Sequence, residues 1–235
     1  MPLVNFLPWR AGARRRGQPA RASRQVLGAS SFGLLALRLD ADLVPGETGC
    51  SVLLTAVAEE AVAVESITEL AWHLAEEQGR SVLLVDGTFG LGSLSQALGV
   101  DGAPGLTNLL LAATVDDQAL AGAEAATAHP GVKLLPRGSQ GPGHLAAARS
   151  LSLSLLLQSA QARHDFVLVQ GSLLNDSSRS LAFVPHVAAV LLVVVDGQSD
   201  LQVVKRSQAL LNECGAQRVG LVLATPVDPY PSATG

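Results

Sequence analysis

Short apolar runs alternate along the chain with stretches in which apolar residues recur every three or four positions. The runs fall at residues 51–57, 81–85, 133–135, 166–169, 189–195 and 219–223. Most show no polar alternation, as expected of strands buried on both faces of a parallel sheet. Between the first two, Val64, Ile67, Leu70, Ala71, Leu74 and Ala75 keep helical spacing and leave Glu59, Glu60, Glu65, Glu69, Glu76 and Glu77 for the other faces. Gly79 suits the C-cap of that helix. Further helices are expected over residues 31–42, with Phe32, Leu35 and Leu39 on one face, over 145–162, and over 201–214, ahead of Gly215. Strand and helix in alternation predict an α/β fold, a doubly wound, mostly parallel sheet with helices on both faces. Residues 1–27 read as a basic, flexible arm, 28–226 as the domain, and 227–235 as an irregular tail after Pro226.

Composition adds that 235 residues suit one domain. With 48% hydrophobic but only 3% aromatic residues, its core must be built from Leu, Val and Ala. The longest apolar run, 187–195, is closed by His186 and Asp196 and falls far short of the roughly 20 residues that cross a bilayer. The N-terminal apolar stretch precedes the arginines, the reverse of a signal peptide. A cytoplasmic protein is expected. Cys50 and Cys214 have no partner spacing and read as buried thiols. The five histidines show no metal-ligand spacing, and His73 reads as a partly buried structural residue. No basic stripe interleaved with aromatics points to nucleic acid.

The net charge of −4 conceals an asymmetry. Arg10, Arg14, Arg15, Arg16, Arg21 and Arg24 are six of the 16 basic residues, and the first 24 residues hold no acid. The remainder carries 10 basic against 20 acidic residues. Behind Leu3, Phe6, Leu7 and Trp9, such an arm suits an anionic membrane surface or an acidic partner, with Trp9, Arg10, Arg14, Arg15 and Arg16 as contacts. A solvated tail is the alternative.

Several blocks follow one another in a distinctive order. SVLLVD (81–86) leads into GTFGLGSLSQALGV (87–100), then GLTNLLLAAT (105–114), VKLLPRG (132–138), HDFVLVQG (164–171), AAVLLVVVDGQSD (188–200) and GAQRVGLVLATP (215–226). Together they resemble the cytoplasmic P-loop ATPase domain of bacterial tyrosine kinases of polysaccharide export, over about residues 30–226. MinD and ParA ATPases share much of the order. The resemblance implies a P-loop NTPase-like fold and a nucleotide site.

The chemistry of such a site is missing. A phosphate loop needs glycines, so that backbone N–H groups close around phosphate, and a lysine. The equivalent segment, residues 58–66, has neither. The β-branched Val62 and Val64, with Ala63 between them, resist the required backbone, and Glu59, Glu60 and Glu65 put carboxylates where phosphate would arrive. Ser66 stands at the magnesium-binding hydroxyl or is a solvated helix serine. Asp86 keeps the first carboxylate of the family's Asp-x-Asp-x-Arg segment, while Thr88 and Gly90 replace the others. Asp86 reads as a residual metal or partner contact, or as a strand-end carboxylate capping backbone. Gln170 stands at the Walker B aspartate and Ala224 at the adenine-reading asparagine. Tyr230 alone represents the family's tyrosine cluster. Ser30, Gly33 and Ala36 replace the charges of its oligomer-forming helix, which leaves homo-oligomerisation open.

The resemblance therefore implies a non-catalytic relative with no cofactor. It would bind a membrane-embedded polysaccharide co-polymerase or synthase subunit (for exopolysaccharide, holdfast or cellulose) at the inner face of a bacterial inner membrane. The alternative is a MinD-like switch that binds ATP and magnesium through a substitute cation, Arg137 or Lys205.

Overall fold

The structure, a computed structural model, describes residues 3–11, 31–43, 48–57, 60–88, 92–112, 116–139, 150–174 and 178–225. Eight strands form one sheet: β1 (Leu3–Ala11), β2 (Cys50–Ala56), β3 (Val82–Asp86), β4 (Ala125–Ala126), β5 (Val132–Leu135), β6 (Phe166–Gln170), β7 (Ala189–Val195) and β8 (Arg218–Thr225). Their order is β1-β8-β7-β2-β6-β3-β5-β4. The six inner strands run parallel, and β1 and β4 are antiparallel edges. The helices are α1 (Ser31–Leu43), α2 (Glu60–Glu76), α3 (Leu94–Ala97), α4 (Leu106–Leu111), α5 (Asp117–Ala123), α6 (Ser150–Arg163) and α7 (Leu201–Glu213).

Successive strand residues feed opposite faces, and both faces are covered. Val52, Leu54, Val82, Leu84, Phe166, Leu168 and Leu191 pack with α1 and α2. Leu53, Leu83, Val85, Val167, Val169, Val190 and Leu192 pack with α4, α5, α6 and α7. Helix α2 buries Ala63, Ile67, Leu70, Ala71 and Leu74, its predicted apolar stripe, and Gly79 follows it at φ +63°. Double burial explains why the strands read as unbroken apolar runs.

One part of the chain differs from its expectation. The start of the arm is the edge strand β1, which pairs with β8 from Leu3 opposite Thr225 to Ala11 opposite Arg218. Without it β8 would end the sheet with unpaired backbone groups. The register shifts between Leu7 and Arg10, around Pro8, which has no N–H to give to a ladder. The helix expected from residue 145 is seen from Ser150; residues 140–149, 12–30 and the tail from Pro226 lie outside the described residues. Cys50 and Cys214 are half-buried instead of fully buried. Burial raises the Cys50 thiol, partly offset by Arg218, and its Sγ lies 3.1 Å from the Leu43 carbonyl.

At the N-terminal edge of the parallel strands, Asp165 accepts from the Ser81 N–H at 2.8 Å and the Ser81 hydroxyl at 2.7 Å. Arg80 meets Asp40 of α1 at 2.7 Å. On the other side of the sheet Glu124, whose side chain is 1% exposed, gathers Lys133, Arg163 and His164. Gly49 is needed for close packing, since an added Cβ would lie 1.8 Å from the His164 carbonyl oxygen.

Candidate functional site

The carboxyl edge of a doubly wound sheet is where such folds bind ligands. In this chain that edge carries Thr55, Asp86, Thr88, Gln170 and Ser172, all at most 4% exposed. Asp86 and Gln170 are register partners on adjacent strands. The Asp86 carboxylate accepts from the Thr88 N–H at 3.1 Å, the Ser95 N–H at 2.8 Å and the Ser95 hydroxyl. The Ser95 oxygen in turn accepts from the Arg137 N–H at 3.0 Å. Gln170 accepts from the Leu94 N–H at 2.8 Å and donates to the Gly92 carbonyl at 2.9 Å. Burial raises the Asp86 carboxyl above the ordinary range, and the hydrogen bonds from Ser95 and Thr88 only partly offset it.

Both side chains expected at metal-binding positions are thus engaged by the chain's own donors and acceptors, most of them at the entry to α3. Asp86 is a strand-end carboxylate capping nearby N–H groups. Behind it Thr55 donates to the Ser172 carbonyl at 2.7 Å, Ser172 bonds Thr88 at 3.1 Å, and Ser180 also reaches the Ser172 carbonyl at 3.0 Å. The roles of Ser93 and Ser95 escaped sequence reading. A signal was there: Ser93-Leu94-Ser95-Gln96 has the Ser-x-x-Gln form of an N-terminal cap, and Ser93 Oγ accepts from the Gln96 N–H.

The entry to α2 is a second departure from expectation. β2 ends at Ala56 and α2 begins at Glu60, so three residues lie between them. A phosphate loop of the Gly-x-x-x-x-Gly-Lys-Ser/Thr kind takes about eight. Val62, Ala63, Val64, Glu65 and Ser66 are turns of helix, not the remains of a loop. The physical reason is the lack of glycine: nothing in 60–66 favours positive φ, and an acidic residue suits a helix N-terminus. Ala63 and Ser66 are each 1% exposed, Val64 is half-buried, and Glu65 is exposed. Ser66 is therefore not a solvated serine, and its hydroxyl has no hydrogen-bond partner among the described residues. Glu59, and the side chains of Glu60 and Val62, lie outside the described residues.

The remaining expected positions are dispersed. Ala224 is buried in β8, and its carbonyl accepts from the Asp196 N–H at 2.8 Å. The Arg137 guanidinium is paired with Asp101, and Lys205 is exposed on α7. Gly33 and Ala36 pack inward from α1, Ala36 at 0% exposure. His73 is buried and bonds Glu77 at 2.7 Å. Trp9 and Arg10 belong to β1 by their backbone; Arg14, Arg15, Arg16, Ser30, Gly90 and Tyr230 lie outside the described residues. Magnesium nucleotide does not fit these residues: the loop is helix, the Walker B position is an amide bonded at both ends, and Asp86 is already satisfied by donors.

No protein-family model and no curated protein sequence matches the chain. Among solved structures, the kinase domain of Escherichia coli tyrosine kinase ETK superposes with a TM-score of 0.73 at 19% identity, covering 95% of this chain and 86% of that one. The VpsO kinase domain gives a TM-score of 0.69 at 22% identity, over 84% and 95% of the two chains. A ParA-family ATPase from Chlorobium tepidum gives 0.59 at 19% identity, over 74% and 73%. The chain has the fold shared by bacterial tyrosine kinase domains and ParA-type ATPases.

Proposed function

We propose that this chain is a non-catalytic relative of the bacterial tyrosine kinase domain that binds and regulates a membrane-embedded polysaccharide synthesis or export complex. The observation that carries the loss of catalysis is the entry to α2, where helix begins three residues after β2 and leaves no room for a phosphate loop. The engagement of Asp86 and Gln170 with the α3 entry supports it. The resemblance of the ordered sequence blocks supplies the partner class, a polysaccharide co-polymerase or synthase. The basic N-terminal region, with Arg14, Arg15 and Arg16, is the proposed contact with that partner or with anionic lipid. No helix among the described residues is long and apolar enough to cross a membrane.

Calorimetric titration with ATP and ADP, each with magnesium and up to millimolar concentration, tests the reading. No heat and no change in melting temperature is the expected result. Saturable, magnesium-dependent binding would overturn it in favour of a nucleotide switch. The partner is tested separately, by recovery of the intact chain with membranes that do or do not contain the polysaccharide complex.

A further inference from the structure

The sheet has two edges, and they are closed in different ways. β4 is two residues long, too short to template another strand. β1 is nine residues long and pairs with β8 alone, and among the described residues no strand lies along its other side. The usual guards of such an edge are a proline, a bulge and a charge. β1 has all three, but they sit together at residues 8–10: Pro8, the register shift between Leu7 and Arg10, and Arg10 itself. Residues 3–7 carry none of them. Their register against β8 is unbroken, from Leu3 opposite Thr225 to Leu7 opposite Leu221, and they include no charged residue, proline or glycine.

This unguarded stretch is its own complement. Laid antiparallel to a copy of itself about Asn5, Leu-Val-Asn-Phe-Leu opposes Leu3 to Leu7, Val4 to Phe6 and Asn5 to Asn5. Apolar residues meet apolar residues, amide meets amide, and the β-branched–aromatic pair is among the favourable cross-strand pairs. Moving the register by one residue would set Asn5 opposite Val4 or Phe6, so the match singles out one register. The stretch also meets its copy without like-charge repulsion, although the whole chain carries −4. At the rise of an antiparallel strand the paired length is about 17 Å. We propose that a second copy of the chain closes this edge, β1 pairing antiparallel with the same strand of its partner about Asn5, so that the sheets of two protomers become one. Such a contact is two-fold symmetric, each strand giving what it receives. It does not depend on the function proposed above.

Sedimentation velocity of the full chain over a range of concentrations tests the pairing. The expected result is a monomer–dimer equilibrium for the wild type, with several-fold weaker association for N5K and for N5E, since each sets like charges directly opposite one another at the two-fold. Mixing N5K with N5E should restore the dimer at low salt, and about 0.5 M salt should remove that recovery. A wild type that stays monomeric would overturn the proposal and leave the edge to a strand of another protein. A dimer indifferent to N5K and N5E would place the contact elsewhere and equally overturn it. So would a mixture that associates no better than either variant alone, because the two charges would then not face each other. Should both variants misfold, the wild type alone decides: amide exchange within residues 3–7 should slow several-fold as concentration rises through the dimer transition. Exchange independent of concentration would refute the pairing.

Discussion

Gln170 holds Leu94: its side-chain oxygen lies 2.8 Å from the Leu94 N–H, while its amide nitrogen grips the Gly92 carbonyl two residues earlier. The residue expected at the Walker B position therefore clamps the entry to α3. Placing an aspartate there should damage the protein. Q170D shortens the side chain, loses the donor to Gly92 and puts a second carboxylate beside Asp86, its register partner. Destabilisation of about 1–3 kcal/mol at pH 7 is expected, smaller at pH 5, with no gain of nucleotide binding. Denaturant unfolding at the two pH values checks it.

The second clamp is Asp86 on Ser95. Removing the carboxylate in D86A leaves two buried N–H donors and a hydroxyl without their acceptor, a loss of about 2–3 kcal/mol. S95A should cost less, because the Ser95 N–H keeps its bond. The double variant D86A/S95A should lose less than the sum of the two single variants, and a double-mutant cycle that returned strict additivity would show that the two do not act together.

Much of the fold was legible because double burial and helical spacing are strong signals: Ala189–Val195 and the stripe Ile67, Leu70, Ala71, Leu74 read directly. The short helices α4 and α5 and the two-residue strand β4 were not, since elements of two to seven residues carry too few repeats to show a period. β1 was hidden because Pro8 and the neighbouring arginines suggest a tail, while its pairing depends on the distant β8. At the site, the absence of glycine and lysine from residues 58–66 was plain in the sequence. That the vacated segment becomes helix, and that Asp86 and Gln170 turn to the α3 entry, depends on contacts 9 and 76 residues away in the chain.

Stability should depend on pH through three carboxyls with opposite signs, those of Glu124 and Asp86 buried and that of Asp165 partly exposed. Burial pushes Glu124 and Asp165 up, but hydrogen bonds outweigh it, from Lys133, His164 and Arg163 on the first and from Ser81 on the second. Their folded values lie below the unfolded ones. They stabilise the fold above about pH 4, and the contribution is lost as pH falls through the folded values. Asp86 is raised, so its contribution is complete below about pH 4 and declines as pH rises through its folded value. E124Q should flatten the acid limb of the melting curve and cost about 2 kcal/mol at pH 7, since it removes the carboxylate that Lys133, Arg163 and His164 contact. An unchanged acid limb would remove Glu124 from the account.

Ser66 gives the sharpest separation between a relic of magnesium chemistry and a core position. Its hydroxyl is buried on the face of α2 that carries Ala63, Ile67 and Leu70, and it has no partner among the described residues. An unsatisfied buried hydroxyl is unfavourable, so replacing it by a methyl group that keeps the packing should help. S66A is expected to raise stability by about 1 kcal/mol and to leave the melting temperature equally insensitive to magnesium and nucleotide. A hydroxyl held for a metal would behave otherwise: the wild type would gain stability with magnesium nucleotide and S66A would lose that gain. Thermal melts of both chains with and without magnesium ATP distinguish the two, because only the metal-site reading predicts a ligand-dependent difference between them.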